Sequence, residues 1–165
     1  MGGEVSRGDD GAEEGEIEMA VSDEQLAALL QHCGDFAREM IEKNGEFYPF
    51  GAEIGVTGEL KSLGFWTGEE RPAASKLYSY AESVMKAKAS SGEILGGAIA
   101  VNVNIPPQFE SKFEDGIRVL VESENLCRLI YQPYLIGKGG FFGRKRTVEY
   151  GEMFGVEIDP ILFGQ

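Results

Sequence analysis

A chain of 165 residues, 42% hydrophobic and 26% charged, has enough apolar material for one core and a surface of ordinary polarity. Fifteen Lys and Arg against twenty-eight Asp and Glu leave a formal charge of −13, which opposes nucleic acid and anionic membranes and favours a basic protein partner. Two separated cysteines, one histidine and no bilayer-length apolar run speak against a disulfide scaffold, a zinc centre and a membrane span, so the expected setting is the cytoplasm and no cofactor is expected.

Residues 1–20 read as a disordered acidic leader, and 21–165 as a single α+β domain. Glu4, Asp9, Asp10, Glu13, Glu14, Glu16 and Glu18 face only Arg7, which gives the leader −6 and leaves −7 on the rest of the chain. Aromatic residues are absent from it, so it has little to bury against its ordering entropy. Ser22 with Gln25 has the form of a capping box, and Asp23 and Glu24 suit the positive end of a helix dipole. Leu26, Leu29, Leu30, Cys33, Phe36, Ala37, Met40 and Ile41 continue as one apolar stripe until Asn44-Gly45.

Phe47 to Ile54 and Glu59 to Thr67 read as a hairpin about Gly55-Val56-Thr57-Gly58, with Pro49 confined to an edge or a bulge. Pro72 is placed to open a second helix over 73–89, striped by Leu77, Tyr80, Ala81, Val84 and Met85. The next position of that stripe is Lys88, which with Lys86 complements the negative helix end. Strands follow at Ile94–Ile105, whose Gly96, Gly97, Ala98 and Ala100 invite close approach, and at Gly116–Glu122 and Cys127–Tyr134. Thr147–Tyr150 adds a short strand, and the rest reads as irregular. The expected fold is an antiparallel sheet of about five strands with two helices, in the order α-β-β-α-β-β-β.

Catalytic signatures are missing from this sequence. His32 and Cys33 are neighbours on a helix and point about 100° apart, which does not make a dyad. The run Gly137-Lys138-Gly139-Gly140-Phe141-Phe142-Gly143-Arg144-Lys145-Arg146 fits neither GxxxxGK[ST] nor GxGxxG. Its plain reading is a hairpin loop whose cations balance the acidic body. Its sharper reading is a protein or anion contact through Lys138, Phe141, Phe142, Arg144, Lys145 and Arg146. Glu59-Leu60-Lys61, opposite Glu53, is similar to the E-x-K element of metal-dependent nucleases but lacks their further acid. Tyr131, Tyr134 and Tyr150 with Glu149 and Glu152 offer a cleft, and Ile161-Leu162-Phe163 is an apolar tip expected to dock on the domain.

The run Phe47-Tyr48-Pro49-Phe50 directly after an amphipathic helix, with Tyr131-Gln132-Pro133-Tyr134 and Tyr150-Gly151-Glu152 later, resembles a group of small bacterial proteins without an assigned function. That resemblance implies a fold over roughly residues 22–155 and no activity or site residue. The element order also resembles the roadblock or profilin-like arrangement, in which two helices flank a five-stranded sheet. Three functions fit these features. The first is a non-enzymatic interaction domain for a basic partner, of adaptor or of immunity or antitoxin type, with a sheet edge or helix face open to homodimer formation. The second is a small-molecule sensor using Phe47, Tyr48, Phe50, Trp66 and Tyr131. The third is a carboxylate-based hydrolase or nuclease.

Overall fold

The computed structural model describes residues 20–142 and 145–164, with backbone alone at 138–142. Ser22 and Gln25 form the reciprocal capping box: Gln25 N–H donates to Ser22 Oγ (3.1 Å) and Ser22 N–H to Gln25 Oε1 (2.8 Å). Helix α1 then spans Asp23–Asn44 and stops at Gly45, whose φ of 80° lies in the left-handed region where glycine is unstrained. Leu26, Leu29, Cys33, Ala37 and Ile41 form its buried stripe. Phe36 and Met40 sit at the border of that stripe rather than on it, with Phe36 44% exposed.

The remaining elements are β1 (Phe50–Gly55), β2 (Leu60–Leu63), α2 (Ala74–Ser90), β3 (Ile94–Asn104), a 3-10 turn (Pro107–Phe109), β4 (Asp115–Ser123), β5 (Leu126–Phe142), β6 (Lys145–Tyr150) and β7 (Phe154–Glu157). The fold is α+β with the expected element order. All strand pairs are antiparallel, in the order β2-β1-β3-β4-β5-β6, with β7 also on β5. The strand count of seven exceeds the expected five. Part of the excess is β7, in a stretch read as irregular. β5 also continues through the glycine-rich run, pairing Phe141 with Arg146 and Phe142 with Lys145. Glycines carry little strand propensity, and the run is held between ladder pairs to β6 at Tyr134, Leu135 and Ile136 and at Phe141 and Phe142, with the register shifting between them.

Proline explains two boundaries. β1 begins at Phe50, just past Pro49, because a proline cannot donate to the ladder. Pro133 lies inside β5, but where that strand changes partner: Tyr131 faces Phe154 of β7 and Tyr134 faces Tyr150 of β6. Its missing N–H falls in this gap, and its carbonyl accepts from Gly151 N–H (2.9 Å). Pro72 stands one residue outside α2, whose N-cap is Ala73.

The two helices take opposite faces of the sheet. Alternation along β3 turns Ala98 and Ala100 toward α1 and Ile99 toward α2. On the α1 side, the stripe packs on Ala52, Ile54, Ile117, Val119 and Val121, and each fully buried Leu or Ile contributes about 1.5–3 kcal/mol. On the other side, α2 packs against β3 and β1 through Leu77, Ala81 and Met85. A Cβ at Gly97 would lie 2.7 Å from Met85 Cε, so glycine there lets the helix come close. The rest of that face is closed by the C-terminal segment, with Leu162 fully buried and Ile161 and Phe163 half-buried.

Two buried carboxylates lie on the α2 face. Glu53 of β1 accepts from the Lys88 ammonium at 2.8 Å, which fills the position where the apolar stripe of α2 breaks. Glu122 of β4 is fully buried and accepts three backbone N–H groups, from Ile161 (2.9 Å), Leu162 (2.8 Å) and Phe163 (3.0 Å). This one carboxylate satisfies an irregular segment that has no ladder partner.

Candidate binding surface

Among the described residues, aromatic side chains gather at the end of the sheet where Gly45–Phe50 enters β1. With Pro49 breaking the ladder, this segment crosses irregularly from α1 and stacks its rings around the helix end. Phe50 meets Phe36 edge-on at 4.8 Å and Phe47 at 5.6 Å. From the other side β2 stops at Leu63, and Phe65, Trp66 and Thr67 come up beside them. Together they line a recess of about 310 Å³, closed below by Met40, Pro72 and Leu77. Trp66 is 66% exposed and Tyr48 52%, a large apolar surface to leave in water. Glu69 and Glu70, both exposed, also line it. The Thr67 hydroxyl in its wall is buried without a hydrogen-bond partner.

Four of the five aromatic residues expected to share a pocket therefore do so: Phe47, Tyr48, Phe50 and Trp66. Tyr131 does not. It is buried on the α2 face, stacked on Phe154 at 5.1 Å with Phe109 beside both. The tyrosine cleft also divides. Tyr134 turns to the α1 side and donates to Asn102 Oδ1 (2.7 Å). Tyr150 donates to Glu42 Oε2 (3.1 Å), and its phenol is pushed up by burial first and by that carboxylate second. Glu149, Glu152 and Tyr150 line a separate recess with Phe109, Phe113 and Phe154.

Of the glycine-run residues, Lys145 lies 4.0 Å from a Glu42 carboxylate oxygen, and Arg146 donates to the Lys43 carbonyl at 2.7 Å, capping the end of α1. These two cations hold the β5–β6 hairpin to the helix. Arg144 and the side chains of Lys138, Phe141 and Phe142 lie outside the described residues.

The groups that could carry catalysis are dispersed. His32 Nε2 is 2.5 Å from Ser62 Oγ of β2, a contact between exposed groups that sequence reading did not foresee. No carboxylate among the described residues hydrogen bonds to the other ring nitrogen, so no third group orients this base. Burial pushes the Cys33 thiol up to about 12, and burial followed by the Glu122 charge pushes Cys127 up to about 12, so neither is a thiolate nucleophile at neutral pH. Glu59 bonds to Thr57 across the turn while Glu53 holds Lys88, so the E-x-K carboxylates do not converge. Among the described residues no group of three or more His, Cys, Asp or Glu could hold a metal, and no helix is long and apolar enough to cross a membrane. Comparison with protein-family models, curated proteins and solved structures returned no match.

Proposed function

We propose that this domain binds a basic protein partner without catalysing a reaction on it, and that the partner's anchoring side chain enters the aromatic recess beside β1 and β2. The single observation that carries this reading is Trp66 and Tyr48, more than half exposed around one concavity lined by Glu69 and Glu70. Exposed aromatic residues around a pocket are the typical energetic centres of interfaces. The charge of −13 adds steering toward a basic surface and disfavours nucleic acid and anionic membranes. An adaptor or an immunity or antitoxin-type protein acting in the cytoplasm is the biological form this would take.

The test compares wild type with the Tyr48→Ala/Trp66→Ala variant as bait in cytosol, followed by titration of the purified captured partner. The expected outcome is one basic protein held stoichiometrically by wild type, with affinity falling as salt rises. The variant should bind it at least about thirtyfold more weakly, the usual scale for a central aromatic anchor. Equal affinity for both baits would overturn the reading. A second reading, a small-molecule sensor, is favoured by the volume of about 310 Å³, within the range of ligand pockets. Trp66 is the only tryptophan, so its fluorescence reports directly on a titration with aromatic compounds.

A further inference from the structure

A second recess, of about 390 Å³, is formed by the segment 109–113, by Pro133 and by the turn between β6 and β7. The geometry points to this recess as a binding site for an organic cation, an ammonium or guanidinium head, held by phenyl faces and two carboxylates. Its apolar walls are Phe109, Phe113 and Phe154. They are preformed: Phe109 leans on Phe154 (5.1 Å) and on Tyr131 (5.3 Å), and Tyr131 stacks on Phe154, so no ring turns without moving the others. Gly151 fixes the fourth side. Its N–H is held by the Pro133 carbonyl, its own carbonyl accepts from Gln132 Nε2 (2.5 Å), and a Cβ there would stand 3.2 Å from the Phe113 ring.

Glu149 and Glu152 bring two exposed carboxylates to this recess, on either side of Tyr150-Gly151, and neither forms an ion pair among the described residues. Phenyl faces offer a cation their negative quadrupole, and carboxylates at the rim supply the charge, the combination found in aromatic cages. The wall already takes an ammonium: Nζ of Lys112, an exposed side chain, lies 5.6 Å from the centre of the Phe113 ring. Lys112 is thus a tethered competitor that an incoming cation displaces. This recess shares none of its lining residues with the Trp66 recess, and the inference stands or falls apart from the proposed function.

The test is an NMR titration of the full chain with tetramethylammonium chloride and, separately, with arginine amide and a short neutral peptide carrying one arginine, against sodium chloride at matched ionic strength. Saturable shifts confined to residues 109–113 and 149–154 are expected. They should weaken roughly three- to tenfold in Glu149→Gln/Glu152→Gln and strengthen roughly threefold in Lys112→Met, on the usual scale of cation–ring and rim-charge contacts. Tighter binding of the peptide than of arginine amide assigns the cation to a polypeptide, and equal or weaker binding assigns it to a free small molecule. Either supports the site. Shifts no larger than with sodium chloride, or shifts that the Glu149→Gln/Glu152→Gln variant leaves unchanged, would overturn it. The three substituted residues are exposed, so loss of folding does not confuse the result.

Discussion

The two faces of the sheet solve the same problem with different chemistry. On the α1 face a 22-residue helix brings a continuous apolar stripe across β1, β3, β4 and β6, and the core there is mostly Leu, Ile, Val and Ala, with Cys33, Phe50 and Tyr134. On the opposite face α2 packs chiefly on β3 and β1, touching β4 through Tyr78 and Arg118, and both buried carboxylates, Glu53 and Glu122, lie there. A helix satisfies its own backbone, so it can cover a sheet with hydrocarbon alone. An irregular segment such as 158–163 brings unpaired N–H groups with it and needs buried acceptors. The difference teaches that the Glu122 charge is buried where regular structure ran out.

The sharpest way to break this contrast is Glu122→Ala. Three N–H groups would lose a charged acceptor inside the protein, and stability should fall by about 3–5 kcal/mol. Urea unfolding measures the loss, and amide exchange at Ile161, Leu162 and Phe163 should accelerate beyond what global destabilisation explains. A loss under about 1 kcal/mol would mean that the apolar contacts of Leu162 alone hold the segment. Leu29→Ala tests the other face. About 3 kcal/mol should go with the cavity, while exchange at residues 161–163 should follow only the global change.

A smaller effect is expected at the Glu53–Lys88 pair, which is sensitive to alkaline pH. The Glu53 carboxylate raises the Lys88 pKa, chiefly through their hydrogen bond and against the opposing cost of burial. A raised value means that the charged lysine is favoured in the folded state. Its contribution is therefore complete below the unfolded lysine value of about 10.4 and disappears as pH rises through the higher folded one. Glu53→Gln should cost about 1–2 kcal/mol at pH 7, and the gap to wild type should close as pH rises through the raised Lys88 value. A gap that stays constant after Lys88 has lost its proton would assign the loss to packing. The smallest effect is at the cap of α1: Ser22→Ala should lower stability by about 1 kcal/mol in urea unfolding, because one helix N–H loses its acceptor.

Local signals made much of the fold legible. The Ser22 capping box, the stripe of α1 and the alternation of β4 are each decided within a few residues by sterics and by burial on one side. The spacing rules misplaced Phe36 and Met40, because a stripe read at three and four is wider than the strip the sheet covers. The residues at its border then become the wall of the recess rather than core. The aromatic site was half visible. Tyr48, Phe47 and Phe50 stand together in the sequence, but Trp66 joins them only because β2 pairs with β1, and Tyr131 is apart because β3 and β4 lie between its strand and β1. Lys88 in the apolar stripe of α2 was a signal of the ion pair. Its partner Glu53 reads in sequence only against Glu59-Leu60-Lys61 across the hairpin, because nothing local links β1 to the end of α2.

By itself the sequence determined the helices, the antiparallel order of the first strands and the acidic field, since these follow from local propensity and composition. The tertiary structure decided what depends on partners far along the chain. The extension of β5 through its glycines, the pairing of β7, and the capture of residues 161–163 by Glu122 rest on hydrogen bonds between segments up to 41 residues apart. An unpaired polar group looks the same in a sequence whether it will face water or a distant backbone, and only the folded chain brings the two together.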